Sequence, residues 1–119
     1  MLSGHCHCGN VQIRVADPPD TATVCNCSTC RRYAATWLFC HPDQVEIDAR
    51  EPTSAYRWGD ETIDFHHCPR CGCITHYTST GKSDVQRTAV NLNMMAAEDV
   101  NDIRQRRFDG ADTWQYLDD

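Results

Sequence analysis

The sequence predicts a mainly β domain, because short stretches of strand length alternate with turn signals along most of the chain. The segment Val11–Val15 alternates apolar and polar residues. The turn pair Gly9-Asn10 just before it predicts a β-hairpin with residues 4–8. Residues 36–40 form an apolar run that is long enough for a strand and too short for most helices.

Further strands are expected along the rest of the chain, at residues 23–26, 45–47, 55–58, 62–66, 74–77 and 85–92. One short C-terminal helix is predicted over residues 96–107, because Val100, Ile103 and Arg107 recur at helical spacing. Trp37, Trp58 and Phe65 are expected in the core. A domain of this kind has a small core, so bound metal would contribute directly to its folding free energy.

The length of 119 residues suits one domain, which we expect to span 1–119. Apolar residues make up 40% of the chain and charged residues 24%, which is typical of a soluble globular protein. No apolar run is long enough to cross a bilayer, so no membrane association is expected. The N-terminal residues lack the basic and apolar regions of a secretory signal, and we therefore expect a cytoplasmic location.

The formal net charge of -6 argues against a nucleic-acid partner, because affinity for a phosphate backbone comes mainly from Lys and Arg. One basic group, Arg104, Arg106 and Arg107, lies beside several aspartates. Mixed charges of this kind are typical of a solvated face.

The chain contains nine cysteines, which is a high density for its length. An odd count without an export signal favours metal binding over a disulfide scaffold. Seven of the nine fall into three clusters, namely Cys6 and Cys8, then Cys25, Cys27 and Cys30, then Cys68 and Cys71. Three such clusters in one short chain predict zinc, which prefers thiolate ligands in tetrahedral geometry.

Counting ligands divides these clusters into two unlike sites. A structural zinc has four protein ligands, which the two outer pairs (Cys6, Cys8, Cys68 and Cys71) supply together. The central cluster (Cys25, Cys27 and Cys30) then has three sulfurs, and three protein ligands with an open position are typical of a catalytic zinc. The sequence therefore predicts two zinc ions per chain.

The alternative is a closed and purely structural second site, completed by a further side chain. Cys73 is the possible extra ligand nearest to a cluster. The other candidates for a fourth ligand are Cys40, His41, His66, His67 and His76.

The ordered motifs resemble one known family. They are Gly4-x-Cys6-x-Cys8-Gly9, Cys25-x-Cys27-x-x-Cys30-Arg31-Arg32, Cys68-x-x-Cys71-Gly72, Val90-Asn91-Leu92 and Phe108-Asp109-Gly110. This arrangement is similar to that of the glutathione-dependent formaldehyde-activating family, also called the CENP-V/GFA domain. The resemblance implies a β-tent of small antiparallel sheets, a structural zinc on the outer four cysteines and a catalytic zinc on the central three.

The resemblance also implies a carbon–sulfur lyase that forms or cleaves the bond between a thiol, such as glutathione, and a small aldehyde, such as formaldehyde. In this interpretation Arg31 and Arg32 are candidates to hold a substrate carboxylate, although exposed arginines fit equally well. His66, His67 and His76 are candidates to move a proton. Asn91 is a candidate polar residue near the site.

The alternative function is a non-enzymatic zinc module that binds a protein partner. The two hypotheses differ in the fourth position of the second zinc. A protein ligand there would favour the binding module, and an open position would favour the enzyme.

Overall fold

The structure, a computed structural model, describes residues 1–118 and is mainly β, which confirms the predicted fold class. The ten strands are β1 (Leu2–His5), β2 (Val11–Val15), β3 (Thr21–Cys25), β4 (Trp37–Cys40), β5 (Val45–Ala49), β6 (Ser54–Tyr56), β7 (Ile63–His67), β8 (Ile74–Ser79), β9 (Thr88–Asn91) and β10 (Arg104–Phe108). The helix α1 spans Ser28–Tyr33, and single turns of 3-10 helix lie at Pro42–Gln44, Leu92–Met94 and Ala97–Asp99. None of the helices in residues 1–118 is long and apolar enough to span a membrane.

A small antiparallel sheet in the order β1-β2-β5 contains the predicted hairpin. Its register pairs Leu2 with Val15 across the turn that holds Gly9. Val11, Ile13 and Val15 are fully buried, while the residues between them are exposed, as the alternating pattern predicted. The apolar side of this sheet therefore covers one face of the core.

The second sheet has seven strands in the order β10-β3-β4-β9-β8-β7-β6. Six of its strands form antiparallel pairs, and four of these strands, β6 to β9, are consecutive in the chain. The pair β10–β3 is parallel and is the exception, among the described residues, to the antiparallel sheets that the resemblance implies. Residues 26–103 separate these two strands, and this long connection allows the parallel arrangement.

The two central strands of this sheet, β4 and β9, divide the core. Leu38 and Val90 lie opposite each other and pack towards the three-stranded sheet. Their neighbours Trp37 and Ala89 belong to a separate, aromatic cluster. Because successive side chains of a strand point to opposite faces, one sheet serves two cores.

The predicted C-terminal helix over residues 96–107 is wrong. Its first part contains the single 3-10 turn Ala97–Asp99, and its last part is the strand β10, which pairs residue by residue with β3. Val100 and Ile103 do pack against the core, but from a turn. Their three-residue spacing therefore reflects two separate contacts, and pairing with a sheet edge outweighs helix propensity here.

The helix α1 was not predicted, although a cysteine motif contains it. The Cys27 sulfur caps this helix by accepting a hydrogen bond from the Cys30 backbone N–H. Ala34, with a positive φ of 54°, ends it. A six-residue helix is too short to show helical periodicity, which explains why the pattern did not reveal it.

The predicted core aromatics divide into two groups. Trp37 and Phe65 are buried at 1% and 4% exposure, as expected. Trp58 is 43% exposed, so its assignment to the core is wrong. It lies in the turn between β6 and β7, where no strand pairing draws it inward.

The close approach of Gly4 to the segment containing Met94 and Met95 predicts a strict requirement for glycine. A Cβ atom at Gly4 would lie 2.5 Å from the Met94 carbonyl oxygen and closer still to the Met95 sulfur. We expect Gly4→Ala to lower the free energy of unfolding by about 1–3 kcal/mol. Urea unfolding of the metal-loaded protein measures this. Gly81→Ala is the control, because its added Cβ meets no atom within 4 Å. Equal midpoints for the two variants would contradict the packing argument.

Candidate metal centres

The outer two cysteine pairs meet in one group although sixty residues separate them in the chain. The sulfurs of Cys6, Cys8, Cys68 and Cys71 all lie within 4.8 Å of one another. Two of the separations are 3.7 Å for Cys6–Cys8 and 3.6 Å for Cys8–Cys68. Four sulfurs about 2.3 Å from one zinc ion in tetrahedral geometry would lie about 3.8 Å apart. The observed spacing therefore fits a zinc ion.

Local backbone geometry prepares these sulfurs for a metal. Cys68 accepts hydrogen bonds from the backbone N–H groups of Arg70 and Cys71, at 3.4 and 3.5 Å, and from the Asn10 amide at 3.6 Å. Gly72, with φ of 80°, allows the tight turn after Cys71. Hydrogen bonds donated to sulfur favour the thiolate, which is the form that binds zinc.

The central cluster brings together Cys25 at the end of β3, Cys27 at the cap of α1 and Cys30 in its first turn. The three sulfurs lie within 4.8 Å of one another. Within residues 1–118, no His, Cys, Asp or Glu joins them as a fourth ligand. Cys30 also accepts a hydrogen bond of 3.3 Å from the Trp37 indole N–H. The group therefore fits a metal ion with an open position.

When no metal is bound, the thiols of this cluster differ in their pKa values. The nearby Cys30 thiol lowers the pKa of Cys25 to about 6, and Cys25 in turn raises the pKa of Cys30. At neutral pH, Cys25 is therefore a thiolate, and Cys30 keeps its proton. A metal ion that binds here must displace the proton, so binding should strengthen as the pH rises.

The C-terminal turn closes over this cluster. The Asp109 carboxylate accepts hydrogen bonds from the Asn26 amide at 3.0 Å and from the Thr113 hydroxyl at 2.8 Å. These bonds hold Gly110 against the Cys25 sulfur. A Cβ atom at Gly110 would lie 2.5 Å from that sulfur. The Phe108-Asp109-Gly110 motif therefore supports the cluster through its backbone.

A cavity of about 700 Å³ has the three central cysteines in its wall. All three tryptophans and all three phenylalanines of the chain line it, together with Tyr77 and Tyr116. Arg87 lines it as well, and its guanidinium stacks on Phe39 at 4.1 Å from the ring centre. No motif in the sequence distinguishes Arg87 or Tyr77 as residues of this cavity.

The structure does not bring the possible fourth ligands to the central cluster. Cys73 lies beside Cys71 and hydrogen-bonds to it, yet it does not join the four-sulfur group. Cys40 is buried in the apolar core, which raises the pKa of its thiol to about 11. His41 is exposed and caps the 3-10 helix Pro42–Gln44.

The predicted polar residues also lie away from the cavity wall. Arg31 and Arg32 are exposed and do not line it. His66 and His76 stack on each other with ring centres 4.4 Å apart, and His67 hydrogen-bonds to the Tyr33 hydroxyl at 3.0 Å. None of these three histidines lines the cavity.

Asn91, which was expected near the site, has a structural position. It is buried at 1% exposure. Its side chain accepts a hydrogen bond from the Thr36 backbone N–H and donates one to the Ile74 carbonyl. It therefore ties β9 to both of its neighbours.

The two groups of sulfurs predict separable metal sites. We expect purified protein to contain about two zinc ions per chain, and Cys68→Ser or Cys27→Ser to contain about one. Cys68→Ser should also unfold at lower urea, because it breaks the link between distant segments. Elemental analysis and urea unfolding measure these effects. Cys40→Ala is the control and should retain both ions. One zinc ion in the unmodified protein would contradict the assignment.

Gly110 offers a test that leaves every cysteine in place. Gly110→Ala should release metal from the central cluster, because its Cβ would overlap the Cys25 sulfur. We expect about one zinc ion per chain to become accessible to a mild chelator, and the other to stay bound. A chromogenic chelator follows the release over time. Release at the rate of the unmodified protein would show that the turn does not support the cluster.

Comparisons with known proteins agree with this description. Residues 1–108 match the family model described as "Glutathione-dependent formaldehyde-activating enzyme". A Halomonas elongata protein that is named after this enzyme is 35% identical over 81 residues, which cover 60% of this chain and 52% of the relative, so the match spans about half of the relative's length. The crystal structure of a Rhodobacter sphaeroides protein superposes with a TM-score of 0.68 and 26% identity, over 87% of this chain and 99% of that one. The chain belongs to the glutathione-dependent formaldehyde-activating family.

Proposed function

We propose that this protein is a zinc-dependent carbon–sulfur lyase. It adds a small-molecule thiol, such as glutathione, to a small aldehyde, such as formaldehyde, or releases the thiol in the reverse reaction. The observation that carries this proposal is the position of the three-sulfur group, which forms part of the wall of a large cavity. A purely structural metal site is closed and has no need of such a cavity.

The two proposed zinc ions have different roles. Cys6, Cys8, Cys68 and Cys71 would hold a structural ion that joins the hairpin turn to the segment after β7. Cys25, Cys27 and Cys30 would hold the second ion with one position open to the cavity. When bound there, zinc would accept a substrate thiol and lower its pKa, so that the sulfur is available as a thiolate.

The overall reaction balances without a redox partner. The thiol sulfur forms a bond to the aldehyde carbon, the carbonyl π bond breaks, and the thiol proton ends on the new hydroxyl oxygen. The reverse reaction returns the proton to sulfur as the carbon–sulfur bond breaks. The protein therefore has to hold the thiol, exclude competing water and manage one proton.

The cavity residues support these three tasks. The aromatic side chains around the cluster, Trp37 and Phe108 among them, limit the access of water. Burial raises the pKa of Tyr77 to about 12, so its hydroxyl stays protonated at neutral pH. A protonated hydroxyl can donate its hydrogen to an aldehyde oxygen, and Arg87 lines the cavity as well. The Trp37 indole N–H stabilises negative charge on the Cys30 sulfur.

Substitution of cobalt for zinc tests thiol entry directly. We expect glutathione to change the sulfur-to-cobalt charge-transfer absorption of the cobalt-loaded protein, since an added thiolate alters the coordination. Zinc-loaded protein should also accelerate the consumption of formaldehyde in the presence of a thiol. Cys27→Ser should lose both properties, because it removes one of the three ligands.

Cys40→Ala is the matched control, because it removes a buried thiol that lies in neither group. It should retain the spectral change and the rate. If no thiol changes the cobalt spectrum and formaldehyde is consumed at the uncatalysed rate, the enzyme proposal fails. The non-enzymatic zinc module would then be the better interpretation.

A further inference from the structure

The cavity beside the three-sulfur group has an unusually aromatic wall. Eight of its eighteen lining residues are aromatic, whereas aromatic residues make up 8% of the chain. On the floor, Trp37, Phe65 and Tyr77 form one packed cluster, with ring centres 4.9–6.0 Å apart. On the other side, Phe108 packs edge-on against Trp114 at 5.1 Å. Such walls favour a ligand with a flat, apolar body.

The charged groups of the wall are few. Arg87 is the only cation among the lining residues, and Asp60 is the only carboxylate. The Asp60 carboxylate already accepts hydrogen bonds from the backbone N–H and the hydroxyl of Thr62. Arg87, in contrast, belongs to none of the ion pairs found in residues 1–118. The cavity thus presents one cation that is free to pair with an anion.

Arg87 is held in place by neutral neighbours. Its guanidinium stacks on Phe39 at 4.1 Å from the ring centre, and Tyr77 lines the same part of the cavity. A guanidinium fixed in this way is suited to a planar carboxylate, because little side-chain freedom is lost on binding. The stacking also lowers the polarity of its surroundings, which strengthens a charge-assisted hydrogen bond.

Glutathione matches this wall poorly. It has two carboxylates, one ammonium group and two amide groups, all of which need partners when they leave water. The cavity offers one free cation and mainly aromatic surface. The volume of about 700 Å³ suits a ligand far larger than formaldehyde or a two-carbon thiol. The preferred substrate should therefore be large, apolar and singly anionic.

We propose that the thiol substrate of this protein is an aromatic thiol with a single carboxylate, and that Arg87 is the specificity-determining residue that binds this carboxylate. The inference rests on the proposed function for the position of the sulfur, which lies at the three-cysteine group. The substrate carboxylate pairs with Arg87. The aromatic ring of the substrate lies between the floor of the cavity and the side formed by Phe108 and Trp114.

Tryptophan fluorescence provides a readout that is independent of activity, because all three tryptophans line the cavity. The zinc-loaded protein is titrated with 4-(sulfanylmethyl)benzoate, with its neutral amide 4-(sulfanylmethyl)benzamide and with glutathione. We expect the benzoate to bind about tenfold or more tightly than either of the other two. The sulfur-free pair 4-methylbenzoate and 4-methylbenzamide should show the same order at lower affinity.

Arg87→Gln should abolish the difference between benzoate and benzamide while leaving the affinity for the benzamide within about threefold. Arg87→Lys keeps the charge and should retain part of the preference. If Arg87→Lys retains part of the preference, the loss in Arg87→Gln is not caused by misfolding. A thermal melt of each zinc-loaded variant checks the folding directly. Arg31→Gln is the matched control, because that arginine is exposed and does not line the cavity.

The outcomes separate this inference from the proposed function. Equal affinities for benzoate and benzamide, tighter binding of glutathione, or loss of the preference in Arg31→Gln but not in Arg87→Gln would overturn the inference. The thiol-dependent cobalt spectrum tests the proposed function alone. If no thiol changes that spectrum but methylbenzoate binds through Arg87, the carboxylate site stands and the thiol assignment fails.

Discussion

Two pairs of cysteine sulfurs that lie sixty residues apart in the chain meet within 4.8 Å, and most of the fold depends on that meeting. One pair belongs to the turn of the first hairpin, and the other follows β7 in the large sheet. A metal ion held by both would join the two sheets and contribute its binding free energy to folding. This constraint matters because a domain of 119 residues buries only a small core, so each long-range link is a large fraction of its stability.

The two faces of the large sheet border different parts of the molecule. On one face, Leu38 and Val90 pack towards the small sheet in an aliphatic core. On the other face, Trp37 and Ala89 belong to the aromatic cluster that borders the cavity. Adjacent residues of the same two strands thus pack into the aliphatic core and border the cavity. The alternation of side chains along a strand makes this possible, because successive residues point to opposite faces of the sheet.

Two segments that lie far apart in the described chain, β4 and the turn after β10, surround the central cysteines. Trp37 donates to the Cys30 sulfur from β4, and the Gly110 backbone approaches Cys25 from the turn after β10. The parallel pairing of β10 with β3 places that turn correctly, because Phe108 lies beside Cys25 in the register. The strand β10, which the sequence did not predict, therefore positions the turn that contacts the central cysteines. A partly buried hydrogen bond of 3.0 Å between Asn26 and Asp109 holds this arrangement together.

The sequence by itself determined the β class, the first hairpin and the division of seven cysteines into groups of four and three. These features depend on residue type and local spacing, which are visible in one dimension. It did not predict β10 or α1, because the partner strand β3 and the sulfur cap decide these segments. Only the tertiary structure shows that Arg87 and Tyr77 line the cavity beside the cluster. It also shows that Arg31, His66 and Asn91 do not line it. No local pattern encodes such neighbours, since strand order in the sheet brings them together.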